Sequence, residues 1–189
     1  AIICPTWQGY HQGMQTSEKQ EMLALLAAGR QALLEAVEGV SAQEETKEPA
    51  PGCWSVLGCV EHVGLVEDYL FARLEEGRCV EATGIDPKRE KLILERTAKR
   101  TRRLPAPEAV VPVGKYATVA EALAAFEASR ARTVRYVEEC CEDLRAKLTT
   151  HPLLGPTNCY ETLLLIALHP ARHAEQIREA RTGLEAYAT

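Results

Sequence analysis

The chain has 189 residues, with 22 Lys and Arg against 27 Asp and Glu for a formal charge of −5. That length fits one domain with a core of its own, and 46% hydrophobic with 26% charged residues excludes a disordered or fibrous chain. The acidic balance argues against nucleic acid as a partner, and no apolar run approaches a membrane span, so neither nucleic acid nor membrane is expected.

In chain order, residues 1–13 (AIICPTWQGYHQG) carry no basic residues and precede Met14, so they read as a tag or extension, and His11 is set aside. Residues 14–189 read as one domain. A first helix is expected over 17–40, capped by Ser17, with Met22, Leu23, Leu26, Leu33, Val37 and Val40 at helical spacing. Pro49, Pro51 and Gly52 mark a loop, and a second helix is expected over 55–76. A basic amphipathic segment over 86–103 follows, read as a solvated face, and then the proline-rich LPAPEAVVPVGKY. A third helix over 118–147 is capped by Thr118 with Glu121 three residues on, HPLLGPTN reads as a turn, and a fourth helix runs over 160–182. Four long amphipathic helices predict an all-α four-helix bundle, with a long crossover between the second and third.

The unexplained chemistry lies in 7 Cys and 5 His. An odd cysteine count without a C-x-x-C pair predicts reduced, mostly buried thiols in a cytoplasmic protein, with Cys59 noted for preceding a histidine by one helical turn. His169 and His173 are spaced i, i+4 and so share a helix face, and His62 sits midway along the second helix. If His62 faces that pair, three neutral imidazoles leave a metal with open positions, as a catalytic site requires. Pro170, inside the fourth helix, removes the hydrogen bond to the Ile166 carbonyl and predicts a kink.

Helical arithmetic at about 100° per residue sets Thr162 and Gln176 within about 40° of the histidine direction, and Tyr69 and Cys59 on the His62 side. Arg130 falls inside the apolar stripe of the third helix. A charge there needs a partner, so it reads either as an ion pair with a carboxylate such as Glu67 or Glu175, or as a clamp for a substrate carboxylate. His151 reads as a hydrogen bonder that fixes its turn, and Trp54 as a packing anchor at the end of the bundle. Arg130, Gln176 and Tyr69 are the catalytic candidates.

The combination P-G-C-W-S-V-L-G-C-V-E-H-V (Trp54, Ser55, His62), F-x-x-S-R-A-R-T from Phe126, H-P-L-L-G from His151 and H-P-A-R-H-A-E-Q-I from His169 resembles the DinB/YfiT-like superfamily of metal-binding four-helix bundles. The resemblance implies that His62, His169 and His173 form a metal triad holding Zn, Ni or Fe. It also implies a metal-dependent enzyme acting on a small-molecule substrate, a hydrolase or a transferase using a low-molecular-weight thiol. The alternative expectation is a non-catalytic metal-binding stress-response module working as a homodimer.

Overall fold

The computed structural model describes residues 13–79, 88–100 and 105–182. His11, Cys4 and the two ends of the basic segment lie outside them. The helices are α1 (Thr16–Val37), the short α2 (Ala42–Glu45), α3 (Val56–Glu76), α4 (Lys88–Arg96), α5 (Val119–Glu139) and α6 (Cys159–Thr182). Three short strands, β1 (Arg78–Cys79), β2 (Lys147–His151) and β3 (Gly155–Asn158), form an antiparallel sheet in that order.

The long helices α1, α3, α5 and α6 make a four-helix bundle. Local capping explains where they start. The Ser55 hydroxyl accepts the Gly58 amide of α3 at 3.1 Å, and Thr118 accepts the Glu121 amide of α5 at 3.2 Å. Asn158 and Glu161 cap α6 reciprocally, at 2.7 and 3.1 Å. The first helix starts earlier than Ser17: Gln15 is its N-cap, and the Glu18 carboxylate accepts the Gln15 amide at 3.0 Å.

Pairings between helices give their directions. Gly64 meets Phe126, Glu67 meets Arg130 and Phe71 meets Tyr136, so α3 and α5 run parallel side by side. Gly29 meets Ala167 and Ala36 meets Arg181, so α1 and α6 are parallel too. Lys19 with Glu138 and Arg30 with Glu127 set α1 against α5 antiparallel. The parallel pair α3 and α5 requires the connection 77–118 to travel back along the bundle, which places α4 and the proline-rich strap against its side.

Two expectations for the region after α5 are corrected. The helix ends at Glu139 rather than continuing to 147, because the chain turns at Cys140 and Asp143 caps a short 3-10 turn by accepting the Arg145 amide at 3.0 Å. Of the expected HPLLGPTN turn, only 152–154 form the tip of the β2–β3 hairpin; GPTN is strand β3 itself, which Gly155 opens at φ +70°.

The core has two apolar clusters. One is built around Met22, Leu26, Leu70, Leu74, Leu163 and Ile166, the other around Leu33, Val60, Val63, Phe126 and Ile177. Between them lies a buried polar layer. The Arg130 guanidinium donates to Glu67 Oε2 at 2.8 and 3.1 Å, and Thr133 donates to Glu67 Oε1 at 2.8 Å. Arg130 also donates to the carbonyls of Leu26 (2.8 Å) and Ile166 (3.3 Å). The Ile166 carbonyl is the one that Pro170 cannot serve, so a guanidinium from another helix supplies the missing donor and α6 continues through the proline. Gly29 faces the same turn: a Cβ there would lie 2.2 Å from the Ala167 carbonyl oxygen.

Candidate metal centre and its cavity

His62 is placed by α3, and His169 and His173 by α6, which runs antiparallel to it. One ring nitrogen from each histidine lies within 4.8 Å of the others. The ring centroids are 4.4 to 5.1 Å apart. His62 and His173 are 4% and 6% exposed, and His169 is partly exposed.

The tautomer of His62 follows from its contact. Its Nδ1 lies 2.6 Å from the Val110 carbonyl, which can only accept, so Nδ1 carries the proton and Nε2 keeps a bare lone pair. An orienting carbonyl on the far nitrogen is the usual support of a metal-ligating histidine. His169 Nε2 and His173 Nε2 face each other at 3.0 Å. The Nδ1 atoms of both are buried and have no protein partner among the described residues.

Burial makes all three poor bases. Desolvation pushes His62 down to about 4, against the opposing effect of the Val110 carbonyl. His169 and His173 are held well below the ordinary imidazole value, first by burial and then by neighbouring imidazole and arginine groups. The cluster is therefore neutral near pH 7, the protonation state a transition metal requires. Three neutral imidazoles from two helices, each with a ring nitrogen within 4.8 Å of the others, offer the donor set a bound cation needs.

The histidines line a cavity of about 770 Å³, within the usual range for small-molecule sites. Its walls come from the turn before α3 and the middle of that helix, the end of α4 with the residues after it, the strap around Pro105–Val110, the hairpin tip at His151–Leu154, and α6. Trp54 packs 4.5 Å from the His62 ring and 6.2 Å from His173, so it is a wall of this site as well as an anchor.

The other sequence candidates separate cleanly. Tyr69 and Gln176 both line the cavity, and the Tyr69 hydroxyl accepts from Arg73 at 3.2 Å. Arg130 does not reach the cavity. Of its two open readings, the structure has the ion pair with Glu67, because the polar layer lies between the apolar clusters. Glu175 instead pairs with Arg178. Thr162 is also off the cavity, hydrogen-bonded to Asn158 and Thr157 where α6 begins. Cys59 is fully buried, with burial pushing its thiol up to about 12, and it does not line the site. His151 fixes the hairpin tip as expected, its Nδ1 accepting the amides of Leu153 (3.2 Å) and Leu154 (3.3 Å), while also lining the cavity.

Three contributions were not singled out from the sequence. Glu61, 2% exposed, accepts the amides of Val113 (2.8 Å) and Lys115 (3.2 Å), tying the strap to α3 one residue before His62. Its signal was a carboxylate inside the apolar run VLGCVEHVGLV. Arg172 lines the cavity from between the two α6 histidines. Arg96 and Arg100, expected on a solvated face, line it as well.

The sequence matches the DinB superfamily over residues 25–177. This chain belongs to the DinB superfamily. Among solved structures, "YfiT from Bacillus subtilis is a probable metal-dependent hydrolase with an unusual four-helix bundle topology" is similar, with TM-score 0.58 and 16% identity over 95% of this chain and 92% of that one. "Crystal structure of TT2238, a four-helix bundle protein" has TM-score 0.55 and 22% identity, covering 84% of this chain and 96% of that one. At these identities the likeness shows a shared fold. No curated protein matches the sequence. Among the described residues, no helix of this DinB-superfamily chain is long and apolar enough to cross a membrane.

Proposed function

We propose that this protein is a metal-dependent enzyme for small molecules, with a divalent cation (Zn, Ni or Fe) held by His62, His169 and His173. The supporting observation is the convergence of three neutral imidazoles on the wall of a cavity large enough for a substrate. No Cys, Asp or Glu among the described residues joins the cluster, so the protein offers three ligands and not the four that close a structural site. The cavity also favours a catalytic site over a non-catalytic binding module.

His62, His169 and His173 would hold the cation by neutral donors, and it would supply a lowered pKa to an external ligand beside them. The nucleophile then comes from outside the chain: water for hydrolysis, the activity named for the YfiT neighbour, or a low-molecular-weight thiol for transfer. The chain's own residues supply position. Val110 fixes the His62 ring, and Trp54 limits water beside it. The Tyr69 hydroxyl, already accepting from Arg73, keeps its proton to donate toward a ligand, and the Gln176 carboxamide lies beside His173.

The test starts with protein stripped by EDTA, reloaded separately with Zn, Ni and Fe, dialysed and measured by elemental analysis. About one ion per chain is expected for at least one metal, with loss in His62→Ala and His173→Ala. Hydrolysis of p-nitrophenyl acetate and conjugation of monochlorobimane with small thiols then separate the two reaction classes. Retention of no metal at all would sink the proposal.

A further inference from the structure

The charge lining the cavity is unlike that of the chain. The protein carries −5 overall, yet the described residues lining the cavity include Arg96, Arg100 and Arg172 and not one Asp or Glu. Arg100 pairs with Glu179, and Arg172 is partly buried, its Nη1 donating to the Lys99 carbonyl at 2.8 Å. Burial lowers the Arg172 pKa without removing its charge, which stays on a guanidinium at neutral pH. Arg96 is exposed at the rim. The two elements that carry these groups, the end of α4 with its following turn and the middle of α6, are held together by that Lys99–Arg172 bond. Beside the arginines the wall is apolar, with Val66, Leu70, Leu165, Leu153 and Leu154.

A cation at the histidines would add more positive charge to the same space. A cationic substrate would meet like charges with no carboxylate on the wall to compensate, and a fully polar one would strip water from the leucines without return. We infer that the ligand of this cavity is an amphipathic organic anion, its carboxylate or phosphate met by Arg96 and Arg172 and its apolar body laid along Val66, Leu70 and Leu165. This rests on the proposed function only in assigning substrate to the cavity beside the three histidines, since the arginines act whether or not a metal is bound. Guanidinium groups suit either oxyanion, through paired N–H donors.

The experiment uses EDTA-stripped protein and isothermal titration with three matched probes: 4-phenylbutyrate, 4-phenylbutan-1-ol and 4-phenylbutylamine. The anion is expected to bind roughly tenfold tighter than the alcohol, with the amine weakest. Phenyl phosphate against phenylbutyrate then identifies the preferred oxyanion. Arg96→Gln should weaken anion binding about fivefold or more while leaving the alcohol unchanged, and Arg172→Gln, which also loses its bond to Lys99, should weaken the anion more than the alcohol. The exposed Arg96 provides the variant least able to disturb folding. Equal affinity for the three probes, or wild-type anion binding in both variants, overturns the inference. So does anion binding that appears only after metal is restored, because the carboxylate would then be held by the cation. Failure of metal loading, by contrast, overturns the metal reading and leaves this measurement standing.

Discussion

Replacing Arg130 with Met removes the donor for a buried carboxylate and for two buried carbonyls at once. Glu67 is 2% exposed and would keep only Thr133, while the Leu26 and Ile166 carbonyls would lose their contacts at 2.8 and 3.3 Å. Breaking one side of a buried ion pair typically costs about 3–5 kcal/mol, and a domain of this kind has about 5–15 kcal/mol in total. Arg130→Met should therefore consume a large share of the stability and still leave a foldable protein. Burial already raises the Glu67 pKa against the opposing Arg130 charge, and losing that charge raises it further. The sign follows: in the variant Glu67 takes up a proton as pH falls, so the gap to wild type narrows from pH 7.5 to pH 5.5. Urea unfolding followed by circular dichroism at both pH values measures it. Glu67→Leu combined with Arg130→Met should recover all but about 2 kcal/mol, since a well-packed apolar pair replaces the charges. Metal content should be unaffected, because Arg130 does not line the cavity. A loss below about 1 kcal/mol, or one that does not change with pH, would refute the polar-layer account.

Glu61→Ala should cost about 2 kcal/mol, the low end for two charge-assisted bonds whose amides water can reach again. By freeing the strap that carries Val110, it should also weaken metal binding about tenfold in competition with a chromophoric chelator; unchanged metal affinity would confine Glu61 to stability. Gly29→Ala places a Cβ 2.2 Å from the Ala167 oxygen, so α1 and α6 must separate, at a cost of about 2 kcal/mol read as a lower Tm. An unchanged Tm would show that the two helices are not in close register there.

The bundle was legible in the sequence because its helices are long and amphipathic, and because Thr118 with Glu121 marks the start of α5, although the cap read at Ser17 belongs to Gln15. What failed was local. Residues 140–147 continue the apolar spacing of α5 through Cys141 and Leu144, and nothing in periodicity reports that Asp143 caps a new turn. The histidines were found because i, i+4 spacing and an isolated His in an apolar helix are sequence-local signals. Arg130 was located in the stripe correctly, but its partners include two carbonyls from other helices, and backbone groups are invisible to a side-chain reading. The Pro170 anomaly and the Arg130 anomaly explain one another, and only the fold brings them together. The same holds for Arg96, read as part of a solvated face, and for Arg172, which was not singled out: only the packing of α4 against α6 puts both on the cavity wall.

Three buried imidazoles carry a cost that depends on pH, and the sign of that dependence tests the whole site. His62 titrates at about 4 in the folded protein and near the ordinary value of about 6.5 when unfolded, so below 6.5 the unfolded chain binds more protons. Stability is fully present above that value and falls as pH drops toward 4. For His62 alone the loss by pH 5 is about 2 kcal/mol, and the depressed values of His169 and His173 act in the same direction. A bound cation opposes this by adding binding energy to the folded state alone, while competing with protons for the same nitrogens. The metal-free protein should therefore show a steep decline in urea midpoint between pH 6.5 and 5, and metal should raise the midpoint strongly at pH 7.5 but little at pH 5. His62→Leu should flatten the metal-free profile by about 2 kcal/mol at pH 5 and remove the metal-dependent gain. A metal-free midpoint that is level from pH 7 to 5 would mean that the imidazoles are not held neutral. The case for a cation among them would then lose its physical basis, whatever the spacing of the histidines in the sequence.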